Sequence, residues 1–297
     1  MKESYKKDFI RAGAIAKEVR AFGKELIKKG ASYNDVVAKV NWKIRELGAR
    51  AAFPPQIALN DTAAHFLPQP DKDIIFNNDV VKLDIGVCYN GAIGDCALTV
   101  DLSGKYQKLI EAAESALLKA EQSLHVGQPL SDIGGIIGTT IVSYGFQPIK
   151  NLAGHGLGYY KIHMPPSIPN YKDKSKGELT TGMTFAIEPF ATTGKGLIYE
   201  EGEPAIFCFL ASRPVRSQIC LALIEKIKTF QGLPFAIQDV LSDKYSLVDV
   251  QKGLAELTAA GAITSYAPLV EEAHGIVAQA ENSVLIDDDG QIFITTR

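Results

Sequence analysis

The stretch VVKLDIGVCYNGAIGDCALTVDL, residues 80–102, decides the fold. Two runs of apolar and β-branched residues flank Asn90-Gly91, and Asn-Gly between such runs is typical of a two-residue hairpin turn. We therefore predict an antiparallel β-hairpin over residues 80–102. A turn at Asn90-Gly91 pairs Asp84 with Ala97 and places Asp95 on the same face, diagonal to Asp84.

Asp84 and Asp95 are the two carboxylates inside this hairpin. A carboxylate in an apolar strand is costly unless something compensates its charge. Diagonal neighbours are ~7–8 Å apart, close enough to share a ligand, and two buried anions repel unless a cation lies between them. The hairpin therefore predicts a shared cation. The alternative is that backbone donors satisfy one acid while the other faces solvent.

Three further residues extend this candidate metal site. Glu188 in FAIEPF and Glu281 in VAQAENSVLI are also charges in apolar segments that we predict to be strands. His155 in AGHGLGYY would, taken alone, be a core histidine, but imidazole is also a common metal ligand. Four carboxylates and one imidazole suit a pair of Mn, Fe(II), Co(II) or Zn ions. A water shared by two such ions becomes a hydroxide at neutral pH, which predicts a hydrolase.

Two histidines lie in loop-like sequence near these motifs, His65 in NDTAAHFLPQP and His163 in YKIHMPPSIP. We predict that they donate hydrogen bonds to a substrate carbonyl or amide. The alternative is that both are exposed loop residues. His125 and His274 have no comparable context, and we interpret them as surface or packing residues.

The composition of the 297 residues excludes several classes of protein. Hydrophobic residues make up 46% and charged residues 22%, which is ordinary for a globular chain and excludes disordered and coiled-coil classes. The net charge of −3 does not favour DNA or a membrane surface as a partner. Four cysteines without a CxxC pair exclude a zinc ribbon. Because we find neither a signal peptide nor an apolar span, we expect a cytoplasmic protein.

The chain shows signs of an internal duplication. Helical patterns cover residues 6–29 and follow Ser32, and they return near residues 105–125 and 130–144. Four residues match at a constant offset of 97 positions: Gly30, Asp35, Ile44 and Gly48 with Gly127, Asp132, Ile141 and Gly145. We therefore predict two related halves, each with two helices and a hairpin, folded about a pseudo-twofold axis.

Residues 195–266 differ in character from both halves. Two or three helical patterns and the phrase GLAELTAAGAI resemble a winged-helix module. Seven Lys and Arg against eight Asp and Glu lack the positive charge of a DNA-binding module. We predict a structural or lid-like insertion at 195–266 within a discontinuous catalytic domain of residues 1–194 and 267–297.

Taken together, these residues resemble the methionine aminopeptidases, specifically their type II branch in its archaeal form. The matching phrases are AAFPPQIALNDTAAHF, VVKLDIGV, IGDCALTV, AGHGLGYYKIH, FAIEPFATTGKG and AQAEN, spread over most of the chain. The resemblance implies an α+β pita-bread fold with pseudo-twofold-related halves, and it interprets residues 195–266 as the type II helical insertion. It implies removal of the initiator methionine from nascent polypeptides, with a small second residue preferred.

The resemblance also implies a role for each site residue. Asp84 would bind one metal ion, Asp95 and Glu281 would bridge both, and His155 and Glu188 would complete the other. Glu188 would in addition carry a proton from the attacking hydroxide to the leaving amine. His65 and His163 would steady the tetrahedral intermediate. The remaining substrate-binding residues would form the methionine pocket, unless they are ordinary core: Phe53, Ile162, Phe190 and Tyr266.

Two departures and two alternatives accompany this interpretation. The family usually has His-Thr after the bridging glutamate, where this chain has Asn282-Ser283, and residues 164–169 are rich in proline. An X-Pro dipeptidase of the same fold shares the five ligands but commonly carries an extra N-terminal domain. A non-catalytic binding protein of this fold would have lost the ligands. For the enzyme we expect a monomer that associates transiently with ribosomes and binds neither DNA nor membrane.

Overall fold

The computed structural model describes all 297 residues. Seven helices are present, and six of them fall where the helical patterns predict, four in the two halves and two within residues 195–266. In chain order they are α1 (Glu3–Leu26), α2 (Tyr33–Glu46), α3 (Gln107–Ser123), α4 (Leu130–Ser143), α5 (Gln218–Lys228), α6 (Ile237–Val240) and α7 (Leu247–Ala259). The Ser32 hydroxyl caps α2 by accepting from the Asp35 amide, as expected of a serine before a helical pattern. None of the helices is both long enough and apolar enough to cross a membrane.

Eighteen strands form five small sheets. They are β1 (Arg50–Ala51), β2 (Gln56–Leu59), β3 (Thr62–Ala64), β4 (Val80–Tyr89), β5 (Ala92–Asp101), β6 (Gln147–Pro148), β7 (Ala153–Gly158), β8 (Lys161–Pro169), β9 (Thr184–Ile187), β10 (Phe190–Thr192), β11 (Ile198–Glu200), β12 (Ile206–Phe209), β13 (Phe235–Ala236), β14 (Ile263–Tyr266), β15 (Leu269–Glu271), β16 (Val277–Gln279), β17 (Asn282–Ile286) and β18 (Ile292–Ile294). The largest sheet has the order β18-β17-β9-β7-β8. Every strand pair is antiparallel, which fits a mixed α+β fold.

The predicted hairpin is β4 and β5, joined at Asn90-Gly91. Both turn residues have positive φ, 49° and 86°, as a type I′ turn requires. The register pairs Asp84 with Ala97 and Gly86 with Asp95, so the two aspartates share one face as predicted.

The two halves repeat each other at the predicted offset. Helices α2 and α4 both have 14 residues, and the starts of the two helices are 97 positions apart. The short strands β1 and β6 repeat at the same offset. One core packs under α1 and α2 and another under α3 and α4. The chain therefore has the predicted pair of related halves.

The segment predicted as an insertion contains three helices, α5 to α7, and a three-stranded sheet of order β13-β12-β14. Its apolar residues belong to the core of the first half, because Ile206, Cys220 and Leu254 share one buried cluster with Ile15 and Val40. Strand β11, near its beginning, pairs with β15 outside it. The division at 195–266 stays a prediction.

Two local expectations were wrong. Glu188 and Glu281 do not lie within continuous strands: Glu188 lies between β9 and β10, and Glu281 between β16 and β17. Pro189, which has no amide hydrogen for a ladder, explains the first break. His163 does not lie in a loop but in β8, where alternate residues can still reach the site.

Candidate metal centre

The centre is built where β5 meets the break between β16 and β17. A single antiparallel bridge pairs Glu281 with Ala97 of β5. Ala97 lies two residues after Asp95 and pairs on its other side with Asp84 of β4. The bridge therefore brings Glu281 next to the strand pair that carries both aspartates. Oxygens of Asp95 and Glu281 and a ring nitrogen of His155 lie within 4.8 Å of one another. Residues far apart in sequence thus converge at one point.

His155 presents one ring nitrogen to the carboxylates. Its Nδ1 lies 2.8 Å from the carbonyl oxygen of Ile162, which accepts a hydrogen bond from the Nδ1-protonated tautomer. In that tautomer Nε2 carries a free lone pair, 3.9 Å from Asp95 Oδ2 and 3.7 Å from Glu188 Oε1. Burial, reinforced by the nearby His163, lowers the pKa of His155 to about 3. The ring is therefore neutral at pH 7, as a metal ligand must be.

The four carboxylates lack compensation from any basic side chain. Burial, partly offset by the nearby Gln279 amide, raises the pKa of Asp84 to about 7. Burial first and mutual repulsion second raise the pKa of Asp95, Glu188 and Glu281 well above the ordinary carboxyl range. Asp84 Oδ1 is also buried without a hydrogen-bond partner. Oxygen donors that repel one another and include an orphaned atom fit divalent cations between them.

A cavity of about 200 Å³ opens on these carboxylates, and all eleven predicted site residues line it. The ring centroids of His65 and Tyr266 are 5.2 Å apart, and those of His155 and His163 are 4.6 Å apart. The His163 side chain is exposed at the open side, whereas His65 is half-buried. Burial and the neighbouring His163 lower the pKa of His65 to about 4, so that ring is neutral at pH 7.

Several cavity residues were missed by sequence reasoning. Gln56 supports His65 directly, because its Oε1 accepts from the His65 amide at 2.7 Å and holds a backbone with φ of 59°. Ile206 and Pro234 come from the predicted insertion, which therefore lines the cavity. A single glutamine or isoleucine in an ordinary strand gives no sequence signal, and only the fold brings these residues to the site. The further wall residues are Ala64, Leu152, Ala153, Gly154, Ser167 and Leu269.

The two departures from the family pattern both lie close to the centre. Asn282 is buried, and its Nδ2 donates to Glu121 Oε1 at 2.6 Å. Ser283 is fully buried against Asp95. The proline-rich segment 164–169 runs along β8, and its Ser167 reaches the cavity wall.

Metallopeptidase family M24 matches residues 7–286. The chain belongs to this family. Among curated M24-type relatives, a methionine aminopeptidase of Methanocaldococcus jannaschii is 39% identical over 99% of both chains. These matches confirm the predicted family and its archaeal character.

Solved structures confirm the pita-bread fold of this M24 chain. A methionine aminopeptidase from Thermotoga maritima superposes with a TM-score of 0.72 at 22% identity, covering 100% of this chain and 98% of that one. A prolidase from Pyrococcus furiosus gives a TM-score of 0.62 at 19% identity, and the match spans only 64% of that longer chain. At these identities the likeness shows the fold alone.

Proposed function

We propose that this M24 chain removes the N-terminal methionine from newly made polypeptides, using two divalent metal ions. The curated relatives confirm the predicted enzyme class, a metal-dependent methionine aminopeptidase. The observation that supports the proposal is that one cavity is lined by all five side chains assigned here as metal ligands, by His65 and His163, and by an apolar wall.

Divalent metal use follows from the family and from the cluster of Asp95, His155 and Glu281. Asp84 would hold one ion, Asp95 and Glu281 would hold both, and His155 with Glu188 would hold the other. Mn, Fe(II), Co(II) and Zn all suit this donor set. If bound there, such ions would supply Lewis-acid activation of water for attack on the first peptide carbonyl.

The side chains of the cavity bind the substrate, transfer the proton and stabilise the intermediate. The Asp84 carboxylate accepts hydrogen bonds from the free α-ammonium group, which restricts cleavage to the terminal residue. Glu188, whose burial and acidic neighbours raise its pKa, accepts the proton of the attacking water and delivers it to the leaving amine. His65 and His163 donate N–H hydrogen bonds to the tetrahedral intermediate.

The apolar wall gives the specificity. Phe53, Ile162 and Phe190 are buried, and Tyr266 is half-buried beside His65. An unbranched thioether side chain fits such a wall, because methionine adapts its three rotatable bonds to the available space. The second residue would lie against the carboxylates, so a bulky side chain there would clash and a small one is accepted.

Because its substrate would be the N-terminus of a newly made polypeptide, we propose that the enzyme acts in the cytoplasm. Transient contact with ribosomes would bring it to that substrate. We further propose that the enzyme is a monomer and binds neither DNA nor membrane. The seven-against-eight balance of basic and acidic residues in 195–266 favours a role in lining the cavity over binding DNA.

The test compares two peptides. Protein freed of metal with a chelator and reloaded with Mn²⁺ is incubated with Met-Ala-Ser and with an Ala-Pro dipeptide, and released amino acids are quantified. We expect free methionine from the tripeptide only after reloading, and no cleavage of the dipeptide. Preferential cleavage of Ala-Pro would instead identify an X-Pro dipeptidase, and no cleavage of either by metal-loaded protein would favour a binding protein.

A further inference from the structure

The two predicted bridging carboxylates are carried by segments that hardly pair with each other. Between β5 and the segment that joins β16 to β17, the only backbone bridge is Ala97–Glu281, with N–O distances of 3.4 and 3.2 Å. Both distances are longer than the usual 2.9–3.0 Å of a strand ladder. The backbone alone therefore holds Asp95 and Glu281 together weakly.

Two hydroxyl groups complete this contact, one on each side of the bridge. Ser283 Oγ accepts from the Asp95 amide and donates to the Asp95 carbonyl, both at 2.8 Å. Thr99 Oγ1 donates to the Gln279 carbonyl at 2.7 Å and accepts from the Gln279 amide at 2.9 Å. Each hydroxyl thus replaces the backbone of its own residue as a ladder partner. We call Thr99, Ser283 and the Ala97–Glu281 bridge the hydroxyl seam.

The hydroxyl seam is also held by hydrogen bonds to side chains of α1 and of the last residues of the chain. Arg20 Nη1 donates to the Glu281 carbonyl at 2.8 Å and reaches the Ala97 carbonyl at 3.4 Å. The Ser283 amide donates to Thr296 Oγ1 at 2.9 Å. Ser283 and Thr296 are completely buried, so no water competes for these hydrogen bonds. The seam is therefore fixed from both sides.

We propose that Thr99 and Ser283 are positioning residues that set the separation of Asp95 and Glu281 for a shared pair of cations. This rests on the proposed function, which assigns both carboxylates to both ions. A direct ladder would hold the backbones at ~4.8 Å. A hydroxyl inserted between backbone groups is a longer link, and it leaves room for cations between the carboxylates while every backbone group stays paired.

Removal of the Ser283 hydroxyl leaves the amide and carbonyl of Asp95 buried without partners, which drives that residue to move. Loss of such supporting groups typically weakens metal binding 10–100-fold. Ser283→Thr keeps the hydroxyl and restores the residue that is usual in the family at this position. The comparison of Ala with Thr therefore separates the hydroxyl from the packing of the side chain.

The experiment titrates Mn²⁺ into metal-free protein by isothermal calorimetry, with thermal unfolding of the metal-free proteins as the check on folding. The variants are Ser283→Ala, Ser283→Thr and the isosteric Thr99→Val. The matched control is Ser115→Ala, which removes a hydroxyl that lies 2.8 Å from the Tyr144 hydroxyl and joins α3 to α4 away from the centre.

We expect Ser283→Ala and Thr99→Val to bind Mn²⁺ about 10–100-fold more weakly than wild type, while Ser283→Thr and Ser115→Ala keep wild-type affinity. Folded Ser283→Ala and Thr99→Val with wild-type affinity would overturn the inference and leave the proposed function standing. If Ser283→Ala does not fold, Thr99→Val decides in the same way, because valine preserves the shape of threonine. A wild-type protein that binds no Mn²⁺ would overturn the proposed function first.

Discussion

At the level of single residues, charge and burial distinguish the candidate metal centre from the rest of the core. Four carboxylates lie together here, of which Asp95 and Glu281 are buried and Asp84 and Glu188 are partly buried. One of their oxygens, Asp84 Oδ1, is buried without a hydrogen-bond partner, which is rare. Such an arrangement costs stability unless a cation compensates it. Asp84 and Asp95 could be predicted from the sequence for the same reason, since acids are unexpected in apolar strands. Gln56 could not be found this way, because an uncharged amide in a short strand is unremarkable.

Asp95→Ala tests the bridging role directly. We expect turnover of Met-Ala-Ser to be abolished, because one of the two side chains assigned to both ions is lost. The protein should remain folded, because removal of one of four repelling carboxylates relieves the metal-free state. Steady-state kinetics and thermal unfolding check both statements. Near-normal turnover in the variant would remove the bridging role of Asp95.

Asp84 gives a pH dependence with a defined sign. Its pKa is raised to about 7 in the folded protein from 3.8, so between these values the folded state holds a proton that the unfolded state has released. The stabilising effect of that proton is full below pH 3.8 and is lost as pH rises through 7. Metal-free wild type should therefore lose more unfolding free energy between pH 4 and pH 7 than metal-free Asp84→Asn. Urea denaturation at several pH values measures the unfolding free energy. If it changed equally with pH in both proteins, the prediction would be refuted.

At the scale of elements, hairpin geometry explains why distant residues meet. The Asn90-Gly91 turn sets the register of β4 and β5, and a shift by one residue would send one aspartate to the opposite face. The turn and the alternation were readable in the sequence, so this part of the site was predictable. The strand breaks were not predicted. The break at Glu188 has a cause in the sequence, since Pro189 follows it, whereas the break at Glu281 depends on tertiary pairing.

Gly86 in β4 packs against Phe53, a residue of the cavity wall. A Cβ at this position would overlap the buried Phe53 ring, so Gly86→Ala displaces that ring, which lines the proposed methionine pocket. We expect KM for Met-Ala-Ser to rise about tenfold and stability to fall by about 1–3 kcal/mol from overpacking.

The matched control is Gly135→Ala in α4, where the nearest atoms belong to the exposed Lys172 side chain. Alanine is the better helix former by about 1 kcal/mol, so this variant should be slightly more stable with unchanged KM. Kinetics and urea denaturation measure both variants. An unchanged KM in Gly86→Ala would show that Phe53 does not take part in substrate binding.

At the scale of the whole molecule, a duplicated fold places the site between its halves. Asp84 and Asp95 come from the first half, His155 and Glu188 from the second, and Glu281 from the C-terminal strands. The constant offset of 97 positions revealed the duplication in the sequence because α2 and α4 have the same length of 14 residues. The seam at Ala97 and Glu281, and the contribution of residues 195–266 to the cavity, depend on long-range packing that no local pattern records.

The most direct measurement is the anomalous diffraction of crystals grown with Mn²⁺. A shared centre of two ions predicts two peaks ~3.5 Å apart, both between Asp95 and Glu281, with Asp84 beside one and His155 and Glu188 beside the other. Crystals that contain Mn²⁺ but show no peak among these five side chains, or show the side chains turned away from one another, would contradict it.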